Sequence, residues 1–226
     1  MILRTALVAL LATAALPAWS ARPLVSDDAA ALDSNTCEIE GAGHRITRSG
    51  DPDVTGLEAT FACGVGSSTQ LALGAGQERG GGITVRTLVA GGKTIFRPAD
   101  NGATGLGIAY AIDNVHVPGE GSKFDNVSIT GLVTREIVPG WLLHGNLGWN
   151  RSRAAHQNTT TWSVGLESTS NPVFAADVFG DDRGRPAVST GVGFSFTRDF
   201  SMNVGVAQQF ESPAIRQWTL GAKMVF

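Results

Sequence analysis

The chain of 226 residues carries little charge, since Asp, Glu, Lys and Arg make up 16% of it, where a soluble domain has about 25%. The formal net charge is −3, which argues against a basic surface for nucleic acid. Low charge combined with 42% hydrophobic residues also excludes a charged disordered chain and a coiled coil. We therefore expect a folded protein that does not bind nucleic acid.

Long apolar runs are missing after residue 20, so the sequence predicts no transmembrane helix there. The first 20 residues contain Arg4, an uncharged run over residues 6–16 and the small-residue pattern Ala18-Trp19-Ser20. This run is too short to cross a bilayer, which takes about 20 residues, but it is typical of a secretory signal peptide. An uncleaved anchor is the alternative. We expect cleavage near Ala21.

The sequence after the signal peptide divides into two parts. Residues 21–35 form a periplasmic N-terminal segment, and residues 36–226 form one domain. The N-terminal segment either hangs free in the periplasm or folds into the domain, and its composition does not decide between these placements.

Only two cysteines follow the signal peptide, Cys37 and Cys63. In an oxidising compartment such a pair predicts a disulfide. A turn-like segment, Ser49–Pro52, lies between them, and a hairpin that pivots on Gly50 pairs residues whose numbers sum to 100, as 37 and 63 do. Directly opposed residues have Cβ atoms about 4.5–5.5 Å apart, which permits a bridge after small adjustments. Two separate buried thiols are the alternative, and zinc is disfavoured because no histidine pair flanks them.

Apolar and polar residues alternate along most of the chain after residue 35. In the last segment Trp218, Leu220 and Met224 share one face, whereas Gln217 and Lys223 share the other. A period of two is typical of a β-strand, and Gly, Pro, Asn and Asp separate the segments. The pattern predicts an all-β protein of twelve strands, or ten if the glycine-rich third to fifth segments are not separate strands. The twelve predicted strands are residues 36–48, 53–64, 69–78, 82–91, 103–113, 124–136, 141–151, 159–168, 173–180, 186–197, 200–210 and 215–226.

Two architectures fit this alternation, a soluble sandwich and an antiparallel transmembrane β-barrel, and they differ in which face turns outward. Most segments have about 9 to 13 residues, more than the five or six that are typical of soluble strands. Trp141 and Trp149 share one face and lie about 20 Å apart along a barrel axis, which suits two aromatic girdles. The apolar face from Trp218 to the final Phe226 resembles the terminal signal recognised by the barrel assembly machinery. These features favour a barrel with an apolar exterior against the outer-membrane lipid of a Gram-negative bacterium.

The polar face of the predicted barrel lines its lumen. Two interpretations of these side chains stay open: they form a narrow polar passage for small-molecule solutes, or they pair across the interior and fill it. Lys223 on the last strand is in position to meet Glu38 or Glu40 on the first. The lumen-lining candidates are Glu38, Glu40, Glu58, Arg86, His144, Asn146, Glu167, Asp177 and Lys223.

The sequence offers no complete catalytic, cofactor or metal motif. His144 and Asn146 share one strand face, which superficially resembles the His-x-Ser pair of outer-membrane lipid hydrolases, but the serine is absent. The turn Asp181–Gly184 has two carboxylates, too few for calcium, which takes about six to eight oxygen ligands. We predict a protein that is not an enzyme and has no cofactor.

Three motifs carry a family resemblance. They are Leu-His-Gly-Asn-Leu-Gly-Trp at residues 143–149, Phe-Gly-Asp-Asp-Arg-Gly-Arg-Pro at 179–186 and Leu-Gly-Ala-Lys-Met-Val-Phe at 220–226, and residues 22–29 and the two cysteine positions are similar too. Together they resemble the family of outer-membrane transporters labelled "MetA-pathway of phenol degradation", least so over residues 80–125. The resemblance implies a barrel that moves small, often aromatic or apolar compounds and that has no catalytic residues.

The sequence thus predicts a passive outer-membrane channel or transporter for small molecules. A structural or accessory barrel with a filled, non-conducting lumen is the leading alternative, and a membrane-embedded hydrolase is the third.

Overall fold

The computed structural model describes residues 24–100, 102–210 and 212–226. The predicted signal peptide lies outside the described residues. Each strand pairs with its sequence neighbours in antiparallel fashion, and the first pairs with the last, so the sheet closes into a barrel. The strands are β1 (Cys37–Arg48), β2 (Val54–Val65), β3 (Thr69–Gly80), β4 (Ile83–Arg97), β5 (Gly105–Val117), β6 (Gly121–Val138), β7 (Trp141–Ser152), β8 (Gln157–Ser168), β9 (Val173–Asp181), β10 (Ala187–Ser195), β11 (Phe200–Gln209) and β12 (Ile215–Val225).

The twelve-strand prediction is confirmed, and both the ten-strand count and the soluble sandwich are wrong. Strand β4 runs to Arg97, well past the predicted end at residue 91. Gly91 and Gly92 do not interrupt it, because Gly91 pairs with Ala72 on β3 and with Ala111 on β5. Backbone pairing with both β3 and β5 thus keeps the two glycines extended despite their weak strand preference. Among the described residues no helix has the length and apolar character needed to cross a membrane.

The first residue of β1 and the last residue of the chain meet where the barrel closes. The backbone N–H groups of Cys37 and Phe226 each donate to the carbonyl oxygen of the other at 2.8 Å. Cys37 lies directly opposite Cys63 on β2, and the two form a disulfide. The predicted disulfide is therefore confirmed. The register of β1 and β2, which brings the two cysteines together, follows from the turn at Gly50. The φ of Gly50 is 91°, in the left-handed region that glycine adopts easily.

The apolar face of the sheet points outward along most strands. Leu57, Leu73 and Leu147 are each about two-thirds exposed, as expected for side chains that contact lipid rather than a protein core. The aromatic residues predicted for this face are exposed too: Trp141, Trp149, Trp218 and Phe226.

The interior of the barrel contains two apolar clusters. One lies near the hairpin tips of β1–β5, where Val54 and Val85 pack with Ile46 and Val115. The other joins Ala29, which precedes the barrel in sequence, to Ile95 and Leu132. Apolar side chains therefore occupy part of a space that the alternation predicts to be polar.

Candidate functional site

The described residues that precede β1 fold into the interior of the barrel. We call residues 24–36 the inner segment. Leu24, Ser26, Asp28 and Ala29 are almost wholly buried. The segment contacts side chains of β9, β7, β6, β4 and β3, and at Ser34 it forms a parallel bridge with β2. It thus follows the inner wall over half of the barrel's circumference.

Asp177 on β9 holds the start of the inner segment. Its carboxylate accepts hydrogen bonds from the backbone N–H groups of Val25 at 2.6 Å and Ser26 at 2.9 Å. Its other oxygen accepts from the hydroxyl of Ser189 on β10. A buried carboxylate needs such donors to replace lost water, so the inner segment and Asp177 satisfy each other.

Asn146 and Thr134 hold the middle of the inner segment. The Asn146 amide accepts from the backbone N–H of Asp27 at 2.7 Å and donates to its carbonyl at 2.9 Å, as a neighbouring strand would. The Thr134 hydroxyl accepts from the backbone N–H of Ala29 at 2.8 Å and lies 3.0 Å from Nδ1 of the fully buried His144. His144 therefore supports an anchor of the segment, in contrast to the hydrolase interpretation.

Lys93 on β4 forms a charged contact with the inner segment. Its ammonium lies 2.7 Å from the carboxylate of Asp28 and 3.1 Å from that of Asp27. Lys93 and Asp28 are mostly shielded from water, and shielded pairs are screened by salt much less than exposed ones. The pairing joins the segment to the barrel wall electrostatically.

A cavity of about 270 Å³ lies beside the inner segment. Lys223 faces it from β12, with its ammonium 3.8 Å from the carboxylates of Glu38 and Glu40 on β1. Gln70 adds a polar contact, donating to Glu38 at 3.4 Å and accepting from the backbone N–H of Leu32 at 3.2 Å. The cavity also has apolar walls, among them Ala109, Ala111, Leu132, Phe179 and Val225.

The inner segment passes so close to the wall that a side chain does not fit there. A Cβ on Gly64 of β2 would lie 2.1 Å from the Asp33 carbonyl oxygen and 2.5 Å from that of Leu32. Both contacts are with backbone atoms, which cannot rotate away. Glycine at position 64 therefore permits the segment to lie against β2.

Replacing Gly64 by alanine is expected to loosen the inner segment. The added methyl group overpacks the contact at a cost of about 1–3 kcal/mol, so the amides of Ala29 and Leu32 should exchange with deuterium at least about fivefold faster. Gly145→Ala is the matched control, because a Cβ there has no neighbour within 4 Å. Unchanged exchange in a folded Gly64→Ala protein would contradict the close packing.

Most of the predicted lumen residues lie on the inner face, but they are not all together. Lys223, Glu38 and Glu40 form one group on β12 and β1, while Asn146 and Asp177 contact the inner segment. The remaining inner-face candidates, taken from the alternation of their strands, are Glu58, His144 and Glu167.

Arg86 is the exception, because it lies on the outer face. It shares that face of β4 with the exposed Leu88 and Phe96, while Val85 points into the interior cluster. The polar-inside rule assigns charged residues to the lumen, and it therefore places Arg86 there. That rule fails here because the apolar cluster near the hairpin tips fills the interior at this level.

The sequence reasoning missed Lys93, and the signal for it was present. Leu88 and Phe96 are large apolar residues at even positions of β4, which assigns odd positions, including Lys93, to the interior. It also did not connect Lys93 with Asp27 and Asp28, which lie more than 60 residues earlier. Within the described ranges, no group of three or more His, Cys, Asp or Glu side chains is arranged to hold a metal ion.

Several solved structures share this fold at very low sequence identity. The KdgM porin in complex with disordered oligogalacturonate is 8% identical and has a TM-score of 0.61, over 84% of this chain and 99% of that one. The COG4313 outer membrane channel from Pseudomonas putida F1 is 11% identical, with a TM-score of 0.58 over 88% and 98%. The CymD monoaromatic hydrocarbon channel is 9% identical, with a TM-score of 0.50 over 86% and 88%. These likenesses establish a shared barrel fold.

In sequence, the chain matches no curated protein. The family model that matches it is a different one from the "MetA-pathway of phenol degradation" family that its motifs resemble. The match covers residues 6–226, which is nearly the whole chain. The chain therefore belongs to the family described as "Uncharacterised conserved protein UCP029691".

Proposed function

We propose that this protein is a passive channel for small molecules in the outer membrane of a Gram-negative bacterium. The observation that carries the proposal is the cavity beside the inner segment, which lies inside a closed barrel with an apolar exterior. A closed barrel leaves no unpaired strand edge in lipid. The fold is also that of the outer-membrane porins and channels described above.

The proposed orientation follows from the even number of strands. The first and last strands of the barrel begin and end at one rim, which we assign to the periplasm. The turns that follow the odd-numbered strands, from β1–β2 to β11–β12, then lie at the other rim and face the cell exterior. Export by the signal peptide and insertion by the barrel assembly machinery, with Phe226 as part of its signal, complete this proposal.

The solutes that fit the cavity are small and of mixed character. A volume of about 270 Å³ lies just below the 300–1,000 Å³ or so of typical ligand pockets. Lys223, Glu38 and Glu40 supply polar contacts, whereas Leu132 and Phe179 supply apolar ones. This lining supports small compounds that combine an apolar or aromatic part with a polar group, which is compatible with the cargo of the family that the motifs resemble.

Single-channel recording of the refolded protein in a planar bilayer tests the proposal. We expect discrete current steps with weak cation preference, because carboxylates on the inner face attract cations. Glu40→Gln, Glu58→Gln and Glu167→Gln should each shift the reversal potential in a salt gradient towards anions. Glu120→Gln is the control, since Glu120 is exposed at a hairpin tip and pairs with Lys123.

A non-conducting barrel with a filled interior is the second candidate. The inner segment and the apolar cluster around Val54 and Val85 both favour it, because they occupy space that a solute would need. Folded wild-type protein that gives no current would support this candidate and contradict the channel.

A further inference from the structure

Arginine side chains are concentrated on the outer wall near the rim that carries the β1–β2, β3–β4 and β11–β12 turns. Arg45 on β1, Arg79 on β3, Arg86 on β4 and Arg216 on β12 all point outward and are exposed. At the opposite rim, the outer face carries Arg97 at the end of β4 and Arg135 on β6, and the turn after β10 carries the exposed Arg198. Cationic groups on the described wall are therefore distributed unequally between the two rims.

The strand register places these four arginines in one arc. Arg216 pairs with Thr47, two residues beyond Arg45 on β1, so Arg216 and Arg45 are diagonal neighbours. Arg45 and Arg79 both pair with Thr55 of the intervening strand β2. Arg86 pairs with Gln77, two residues before Arg79. Diagonal neighbours on a sheet lie about 7–8 Å apart, and Arg45 and Arg79, two strands apart, are separated by about 10 Å, so long side chains can reach a common ligand.

His116 extends this arginine arc by one strand. It pairs directly with Arg86 and lies on the same outer face of β5. The arc therefore spans five strands and the intervening β2. Its nitrogen atoms all face the surroundings of the barrel rather than the lumen.

The hydrogen-bond partners of the arc leave most of its charge uncompensated. Arg86 donates to the side-chain oxygen of Gln77 at 3.3 Å, and Arg216 donates to that of Gln208 at 3.0 Å. Both partners are neutral amides. Arg45 pairs with Asp53 at the hairpin tip, at 2.9 Å from Nε. The surface therefore carries net positive charge next to neutral hydrogen-bonding groups.

The arc borders directly on the apolar part of the outer wall. Trp218 pairs with Arg45, and Leu57 lies in the same row as Gln77 and Arg86. Leu88 is two residues from Arg86 on the same face, and Leu57, Leu88 and Trp218 are all half exposed or more. A ligand that fits both surfaces has an anionic head at the level of the arginines and hydrocarbon chains below it.

We propose that the arginine arc binds the phosphate groups of the phosphorylated glycolipid of the outer leaflet, lipid A. Guanidinium groups bind phosphate in a bidentate manner, and several of them along one rim match a head group with two phosphates. The acyl chains then pack on Leu57, Leu88 and Trp218. The inference rests on the outer-membrane location and orientation proposed above, but not on conduction.

Binding of lipid A to detergent-solubilised full-length barrel, measured by native mass spectrometry, tests this inference. For the triple variant R79Q/R86Q/R216Q we expect the dissociation constant for bis-phosphorylated lipid A to rise at least about tenfold, because charge-assisted contacts to phosphate are lost. Arg135→Gln, on the opposite rim, should bind as the wild type does. Dephosphorylated lipid A should bind the wild type as weakly as the phosphorylated form binds the triple variant.

Three outcomes would overturn the inference. They are equal lipid A binding by the wild type and the folded triple variant, an equal loss in Arg135→Gln, and equally tight binding of phosphatidylglycerol, which would assign the arc to phospholipid. Heat-dependent migration on gels verifies that each variant is folded, and Arg86→Gln alone should show a smaller loss if the triple variant does not fold. The assay needs no current, so a non-conducting barrel would leave its result intact.

Discussion

Deleting residues 24–34 is expected to raise the single-channel conductance severalfold. These residues form most of the inner segment, which follows half of the inner wall and borders the cavity. Their removal joins the cavity to the space that the segment occupied, and a wider aqueous path carries more ions. Recordings in a planar bilayer, under the same salt conditions as the wild type, measure the change.

Two controls separate widening of the lumen from damage to the barrel. In the first, Gly and Ser replace residues 24–34 at constant length, which removes the contacts of Asp27 and Asp28 with Lys93 and leaves a flexible chain. We expect frequent transitions between small and large currents for this variant. In the second, heat-dependent gel migration verifies folding of the deletion. Unchanged current in the folded deletion would place the conducting path away from the inner segment.

Replacing both Cys37 and Cys63 by serine is expected to lower the free energy of unfolding by about 3 kcal/mol. The disulfide joins residues 26 positions apart, and closing a loop of that length restricts the unfolded chain. It also lies where the inner segment ends and β1 begins, next to the hydrogen bond that the backbone N–H of Gly64 donates to the Thr36 carbonyl at 2.9 Å. Urea unfolding in lipid or detergent, followed by tryptophan fluorescence, measures the loss.

A reductant supplies the control for this prediction. Reduced wild-type protein should unfold at the same urea concentration as the Cys37→Ser, Cys63→Ser double variant, and the double variant should not respond to reductant. If the wild type and the double variant unfold together under oxidising conditions, the disulfide contributes nothing to stability and the prediction is wrong.

The strands and their pairing could be predicted from the sequence because they follow from local patterns. Alternation of apolar and polar residues is a property of neighbours in sequence, and hairpin register follows from the position of the turn. The turn at Gly50 therefore led correctly to the bridge between Cys37 and Cys63. Strand ends were less accurate where glycines occur, as at Gly91 and Gly92, since pairing with both neighbours overrides their weak preference.

The face assignment of β4 shows where local reasoning failed. The polar-inside rule placed Arg86 in the lumen, but an apolar cluster from β1, β2, β4 and β5 occupies the interior at that level. Membership of this cluster depends on which strands lie side by side. The local signal that places Arg86 outside was its shared parity with Leu88 and Phe96 on β4, and the polar-inside rule overrode that signal.

The sequence by itself determined that this chain forms a barrel of ten or twelve strands with an apolar exterior, bridged at its first hairpin. Only the tertiary structure decided the contents of the barrel. The inner segment is held by Asp177, Asn146 and Lys93, which lie 65 or more residues away along the chain. Such contacts form only after the wall has closed, because each buried polar group then needs a partner that no sequence neighbour supplies.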